Sequence, residues 1–397
     1  MVFGVDFLRV LSVFGTRPEA IKMAPVVKAL ALESHIESEV CITGQHREMI
    51  APVLELFEIA PQYDLAIMSA DQTLNGIVSR VIAGLDDVIN RAKPDRILVH
   101  GDTATAMAAA LAGFQRKIPV AHVEAGLRTY DLHSPWPEEM NRRVVDLTSD
   151  LLFAPTQLSK DNLTRERLSG RVIVTGNTVI DALKMVTAKL DQSAWLRTSL
   201  DSQNPETLTG RRMVLVTGHR RENFGDGMRS ICAALSILAE RSDIDIVYPV
   251  HLNPNVRGPV TDLLAGRDNI HLIPPQSYLG FVRLMQRAHI ILTDSGGVQE
   301  EAPSLGKPVL VMRDVTERPE ALQAGTTRLV GTDTTRIVEE VSQLLDDASA
   351  YRAVSQRANP YGDGHAADRI ASVLMGRTVT EFAADQNPPA LPIAANA

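Results

Sequence analysis

The sequence predicts an α/β protein of two Rossmann-like domains facing each other across a cleft, and three observations predict it. Apolar, β-branched segments alternate with helical patterns along most of the 397 residues. Near-continuous apolar strands interleaved with helices mark parallel sheets covered on both faces. The strands fall into two sets, separated by "DQSAWLRTSLDSQNPETLTGRR" (191–212), which is polar and lacks a strong apolar period. A chain of this length is also too long for one ordinary core and short for three.

The first strand set is "RVLSVFG" (9–15), "SEVCITG" (38–44), "DRILVHG" (95–101), "IPVAHVE" (118–124) and "DLLFAPT" (150–156). The second is "RMVLVTG" (212–218), "DIDIVYPV" (243–250), "NIHLIPP" (269–275), "HIILTDS" (289–295) and "KPVLVMR" (307–313). Between strands, Pro18 suits a first helical turn, and Ile21, Ala24, Val27 and Leu30 then fall along one face. "TATAMAAALAGFQ" (103–115) is Ala-rich enough for a closely packed helix. These elements predict an N-terminal domain over 1–190, a linker region over 191–210 and a C-terminal domain over 211–363. A final helix over 364–378 follows, and the Pro/Ala-rich stretch at 379–397 is expected to be disordered.

Composition narrows the function. A net charge of −8 argues against nucleic acid as the main partner. An anionic ligand must then be caught by local Arg, Lys and backbone N–H groups. No apolar run approaches the roughly 18 residues of a membrane span. The start, "MVFGVDFLRVLSVFG", carries Asp6 and Arg9 within its apolar run and reads as a first strand rather than a signal peptide, which predicts a cytoplasmic protein. Cys41 and Cys232 sit in apolar contexts and read as small core residues of a reduced compartment. No strand is followed by G-x-G-x-x-G, no G-x-x-x-x-G-K-[ST] occurs, and histidines and cysteines show no zinc spacing. "DID" (243–245) has the form of a metal-binding pair but lies within a strand pattern. No nicotinamide and no metal are therefore expected.

The loops after the strands carry the chemistry, because ligands of such sheets bind beyond the carboxyl ends of the strands. After the first strand, "GTRPEAIK" places Gly15 at a turn and Arg17 and Lys22 on the opening helix. Backbone donors, the helix dipole and two cations there make an anion site, with solvated charge at a helix start as the bland alternative. Asp102 follows "RILVH", where a polar helix cap is the bland alternative. Glu124 follows "IPVAHV", and Glu138 with Glu139 opens a helix behind Pro137. Each carboxylate alone is ordinary; three on one sheet edge can supply an acid and a base. In the second half His219 follows a strand and precedes Arg220 and Arg221, which should favour its neutral form. "TDSGGVQEEAPSLGKP" (293–308) offers the N–H groups of Ser295, Gly296 and Gly297 at a helix start, suited to a diphosphate. Glu301, a helical turn further in, suits two hydroxyls of a ribose, and Arg318 is a second diphosphate cation.

The motifs "FGTRPEAIKMAP", "TGQHREM", "HGDTATAMA", "HVEAGLRT", "SPWPEEMNRR", "VTGNTVIDAL", "TGHRRENFG" and "TDSGGVQEEAPSLGKPVLVMRDVTERPEA" occur in this order between about residues 9 and 376. With them the sequence resembles the non-hydrolysing UDP-N-acetylglucosamine 2-epimerases. The resemblance implies a glycosyltransferase-B-like fold with the site in the cleft. It implies a UDP-sugar site at Arg17, Lys22, Asp102, Glu124, His219, Gln276, Phe281, Ser295, Gly296, Gly297, Glu301 and Arg318, with Phe281 near the uracil and Glu301 on the ribose. It implies Asp102, Glu124 and Glu138 as the catalytic acids and His219 beside the leaving diphosphate. A homodimer is implied, as is a second, allosteric UDP-GlcNAc site with Gln45, Arg221 and His251 as candidates. The implied reaction is cofactor-free. Its rivals are a transferase of the same form, a hydrolysing epimerase, a relative acting on a more modified UDP-sugar, and a sensor that binds without turnover.

Overall fold

The computed structural model describes residues 7–44, 47–68, 72–204 and 210–384. The chain divides into two compact units. One comprises Met1–Ala182 with Tyr361–Ala383, and the other Leu183–Pro360 with Ala384–Ala397.

In the first unit the strands are β1 (Leu8–Phe14), β2 (Ile36–Ile42), β3 (Tyr63–Asp64), β4 (Arg96–His100), β5 (Val120–Val123), β6 (Leu151–Ala154) and β7 (Arg171–Val174). They form one seven-stranded sheet in the order β3-β2-β1-β4-β5-β6-β7, every pair parallel. The helices between them are α1 (Arg17–Leu32), α2 (Arg47–Leu56), α3 (Leu74–Ala92), α4 (Ala104–Gln115), α5 (Glu138–Thr148) and α6 (Gln157–Glu166). A seventh, α7 (Thr178–Gln192), runs on into the second unit. The alanines of α4 serve close approach to the sheet, since a Cβ on Gly113 would lie 2.9 Å from Val120. Ala106, Ala108, Ala109 and Ala110 are buried among Leu11, Val13, Ile97 and Val99.

The second unit opens with α8 (Ala194–Asp201) and continues through β8 (Arg212–Thr217), α9 (Asp226–Leu238), β9 (Ile244–Pro249), α10 (Pro254–Leu264), β10 (Ile270–Ile273), α11 (Tyr278–Arg287) and β11 (Ile290–Thr293). It closes with α12 (Gly296–Glu301), β12 (Val309–Val311), α13 (Pro319–Ala324), β13 (Thr327–Leu329), α14 (Thr334–Asp346) and α15 (Ala348–Ser355). Its six strands run parallel in the order β10-β9-β8-β11-β12-β13. Val214, Ile246, Tyr248, Leu292 and Leu310 from four of these strands pack with Ile231 and Leu235 of α9. The polar stretch expected as the linker contains α8, capped by Ser193 and tied to α11 through Arg283 and Asp201 at 2.7 Å.

The last described helix, α16 (Ala366–Leu374), returns to the first unit and packs on α1. Asp181 of α7 accepts the Ala367 N–H at 2.8 Å. Beyond it, Phe382 is buried and its N–H reaches the Val174 carbonyl of β7 at 2.9 Å, so the first residues of the expected tail are fixed. Residues 385–397 of that tail lie outside the described residues. Both cysteines are buried thiols, pushed up by burial to about 12 for Cys41 and about 11 for Cys232. Among the described residues no helix is long and apolar enough to cross a membrane.

Each sheet reverses its strand order once, between β1 and β4 and between β8 and β11. Such reversals leave a crevice at the carboxyl ends of the two central strands.

Candidate active site

At the first reversal, the turn after β1 is made by Gly15, where a Cβ would lie 2.2 Å from Thr43 Oγ1. Thr16 caps α1 and Glu19 completes a capping box. Glu19 also accepts the Thr103 hydroxyl at 2.6 Å, which ties the turn after β1 to the turn after β4. Burial pushes its carboxyl up. Arg17 is exposed at the start of α1, whereas Lys22 is pulled inward and paired with Glu124 Oε1.

Asp102 follows Gly101, whose φ of 66° is one that L side chains rarely adopt. The Asp102 carboxylate is held by Arg142, and its carbonyl accepts from Asn141 at 2.9 Å. Burial raises its pKa against the opposing charge of Arg142, and Glu124 adds to the rise. Glu124 itself has φ of 69°, a strained value for a residue with a Cβ. Its Oε1 also accepts from Asn177 at 2.9 Å. Its Oε2 lies 3.2 Å from His100 Nε2, although neither His100 nitrogen is aligned for a hydrogen bond. Burial drives His100 down to about 3, so the ring is neutral. Asp102, Glu124 and Lys22 therefore form one cluster at the ends of β4 and β5.

The Glu138–Glu139 pair splits. Glu139 is fully buried and accepts the Thr129 and Tyr130 N–H groups at 3.0 and 3.1 Å, so it anchors the preceding loop. Glu138, half-buried at the start of α5, stands three and four residues before Asn141 and Arg142. Helical spacing puts it on the face those two residues turn toward Asp102.

At the second reversal, Asp294 organises the loop after β8. Its buried Oδ2 accepts from the His219 and Arg220 N–H groups, both at 2.8 Å, and from Asn223 Nδ2 at 3.2 Å. The His219 ring lies exposed, its Nδ1 3.5 Å from Asp294 Oδ1, and it stacks on His251 with centroids 5.5 Å apart. Arg221 is exposed in the next turn, and Gln45 lies outside the described residues.

Ser295 caps α12, its N–H bonded to Thr293 Oγ1 at 3.0 Å. Gly296 opens the helix beneath the Arg318 guanidinium, which would lie 2.5 Å from a Cβ there. The Glu300–Glu301 pair splits as well. Glu300 holds Arg318 at 2.8 Å, while Glu301 accepts the Tyr278 hydroxyl at 2.6 Å and lies near Gly297. Tyr278 is one turn before Phe281 on α11, and burial raises its phenol well above the usual range. Gln276 donates to the Pro274 carbonyl at 2.7 Å.

The structure thus gathers Lys22, Asp102 and Glu124 in one unit and His219, Gly296, Gly297, Glu301 and Arg318 around the loops of the other. Arg142, Asn177, Tyr278 and Asp294 escaped the sequence reading. Only their places in "PEEMNRR", "GNTVID" and "TDSGG" hinted at three of them, and nothing marked Tyr278 out from its amphipathic helix. The "DID" pair is accounted for by neighbours: Asp243 pairs with Arg212 and Arg241, and Asp245 pairs with Arg211 and lies 3.2 Å from His271 Nε2. Among the described residues no cluster of His, Cys, Asp and Glu could hold a metal ion.

The family model for UDP-N-acetylglucosamine 2-epimerase matches residues 28–375. The chain belongs to this family. The UDP-N-acetylglucosamine 2-epimerase of Escherichia coli (strain K12) is 56% identical over 375 residues, covering 94% of this chain and 100% of the relative. The UDP-GlcNAc 2-epimerase of Neisseria meningitidis bound to UDP-GlcNAc matches with a TM-score of 0.87 and 52% identity, over 93% of this chain and 100% of that one. That of Methanocaldococcus jannaschii, in complex with UDP-GlcNAc and UDP, has a TM-score of 0.78 and 33% identity, over 93% and 99%.

Proposed function

We propose that this 2-epimerase family member interconverts UDP-N-acetylglucosamine and UDP-N-acetylmannosamine without hydrolysis, by eliminating UDP to bound 2-acetamidoglucal and adding it back. The observation that carries the reading is the part-buried Lys22–Glu124 and Arg142–Asp102 pairing at one strand-order reversal. Carboxylates fixed in this way suit proton transfer at carbon.

The C2 proton of an N-acetylhexosamine is not acidic, because C2 is not next to a carbonyl. Breaking the C1–O bond removes that obstacle: UDP leaves, the ring gains oxocarbenium character, and a carboxylate can take the C2 proton. In this reading Asp102 or Glu124 takes it and Glu138 acts from the opposite face. Protonation of C2 on that face and return of UDP to C1 complete the inversion. The leaving diphosphate is stabilised by Arg17, His219, Arg318 and the N–H groups of Ser295–Gly297 as its charge develops. Glu301 holds the ribose and Phe281 lies by the uracil, with Gln276 beside them. Water must be kept from C1, since it would hydrolyse the intermediate. A cytoplasmic homodimer with a second, activating UDP-GlcNAc site at Gln45, Arg221 and His251 belongs to the same reading; for the second site the support is the His219–His251 stack.

The test is proton NMR of the protein with UDP-GlcNAc in D₂O. UDP-ManNAc carrying deuterium at C2, with loss of the substrate H2 signal, is the expected result. Free N-acetylmannosamine with UDP would mark a hydrolysing enzyme, and an unchanged spectrum despite binding would refute the proposal. The amides of Asp102, Glu124 and Glu138 should each lower turnover by about 10²-fold or more, the scale of lost acid–base catalysis.

A further inference from the structure

Among the buried polar groups that the mechanism leaves unused, one lies against the acid loops. His122 on β5 is fully buried, with Nδ1 2.6 Å from Asp146 Oδ1 of α5 and Nε2 2.8 Å from the Gly101 carbonyl oxygen. A carbonyl only accepts, so Nε2 carries a hydrogen. Arg128 Nη2 lies 2.7 Å from the other oxygen of Asp146, with both side chains buried. Nδ1 likewise faces a carboxylate oxygen. Oxygen acceptors thus face both ring nitrogens, an arrangement that a doubly protonated ring would satisfy. Arg128 continues to Glu166 of α6 at 2.8 Å, and Arg143 of α5 lies 3.8 Å from the same carboxylate. Beside His122, on β4, His100 is a neutral histidine, held down first by burial and further by Lys22 and His122, with Glu124 opposing.

The placement gives such a charge a purpose. Gly101 immediately precedes Asp102, and its N–H donates to the Val123 carbonyl at 3.0 Å. Val123 immediately precedes Glu124. One buried ring thus fixes, from within the sheet, the carbonyl before one acid and the strand end before the other. A charge-assisted hydrogen bond is both shorter and stronger than a neutral one, so a charged ring would hold the turn harder than a neutral one. A misplacement of about 1 Å at a reacting group costs about 10²-fold in rate.

We propose that His122, held as an imidazolium by Asp146 and Arg128, is a positioning residue that sets Asp102 and Glu124 on the substrate. This rests on the epimerase reading for its rate measurements but not for its charge state. Two measurements separate the two. In protein with ¹⁵N-labelled histidine, the His122 resonances, assigned by their disappearance in His122→Gln, should show both ring nitrogens protonated at pH 7.5. In Asp146→Asn, which also serves for assignment if His122→Gln does not fold, the ring should revert to a neutral Nε2–H form. In kinetics, Asp146→Asn and His122→Gln should lower kcat and the rate of C2 deuterium exchange together, by 10- to 100-fold, while UDP affinity stays within twofold of wild type. A wild-type spectrum with one unprotonated His122 nitrogen overturns the proposal, as does a kcat within twofold of wild type in both variants. Equal losses in kcat and UDP affinity would mark a general folding defect and also overturn it. A wild-type protein inert toward UDP-GlcNAc would refute the epimerase reading and leave the nitrogen spectrum to decide the charge.

Discussion

Replacing Gly296 by alanine tests the grip of Arg318 on the ligand. Gly296 starts α12 with helical backbone, so alanine costs nothing in conformation there and gains up to about 1 kcal/mol in helix propensity. The new Cβ would lie 2.5 Å from Arg318 Cζ and Nη1 and 2.8 Å from Nη2. These atoms end a flexible side chain, so the guanidinium swings away and loses its 2.8 Å bond to Glu300. If Arg318 grips the diphosphate, the displacement removes charge-assisted hydrogen bonds of about 1.5–3 kcal/mol. At about 1.4 kcal/mol per tenfold, UDP affinity should fall roughly 10- to 100-fold. Gly297→Ala is the companion, because its Cβ meets only Glu301 Oε2 at 3.8 Å within the protein. A loss of affinity there would report the ligand's own approach to the backbone. Calorimetric titration with UDP, set beside urea unfolding of each variant, makes the comparison. Wild-type UDP affinity in Gly296→Ala, with unfolding shifted by the lost Arg318–Glu300 pair, would remove Arg318 from the diphosphate site.

Asp181 offers a pH test away from the site. Burial raises its pKa from 3.8 to about 6, a rise of about two units, against the pull of the Ala367 N–H. Its folded pKa exceeds the unfolded one, so the native state holds the proton more tightly and stability falls as pH rises from about 4 through 6. At about 1.4 kcal/mol per unit this approaches 3 kcal/mol. Asp181→Asn should therefore be more stable than wild type in urea at pH 7.5, with the gain vanishing near pH 4; equal stability at both would contradict the assignment. Gly126→Ala should destabilise by several kcal/mol, since φ is 90° and a Cβ would lie 2.3 Å from the Ser159 carbonyl oxygen; a urea midpoint near wild type would refute this. Asp294→Asn leaves one of its three donors on Oδ2 without a full acceptor, worth about 1–3 kcal/mol. The His219 loop should loosen and kcat/KM fall about 10-fold or more, as steady-state kinetics would show.

The strands that the sequence left unread share a position. β3, β7 and β13 are each a sheet edge and only two to four residues long. An edge strand has one neighbour, so its run of apolar residues can be short, and "YD", "RVIV" and "TRL" fall below what alternation can reveal. The central strands, walled on both faces, announce themselves. The same contrast runs through the site. Loop positions such as Asp102, Glu124, His219 and Ser295 follow from where strands end. The choice within Glu138–Glu139 and Glu300–Glu301 depends on helical phase: adjacent residues point about 100° apart, and no sequence pattern says which faces the sheet. Asp294 and His122 were hidden for another reason. They sit in or just beyond apolar strands, and their importance arises from partners 75 and 24 residues away.

The return of α16 to the first unit has a consequence for how the chain is made. Residues 183–360 form an insertion within that unit, and the Asn177 N–H meets the Tyr361 carbonyl at 2.7 Å, where the interrupted unit resumes. A chain leaving the ribosome is released from its amino end, and domains usually fold in that order. Here the earlier-made sheet waits: α1 lacks the helix that packs on it, and β7 lacks the Phe382 N–H that meets it, until some two hundred further residues have emerged. The inserted unit has all its own strands before that. Vectorial synthesis should therefore finish the later half first, and leave the half carrying Asp102 and Glu124 to close last.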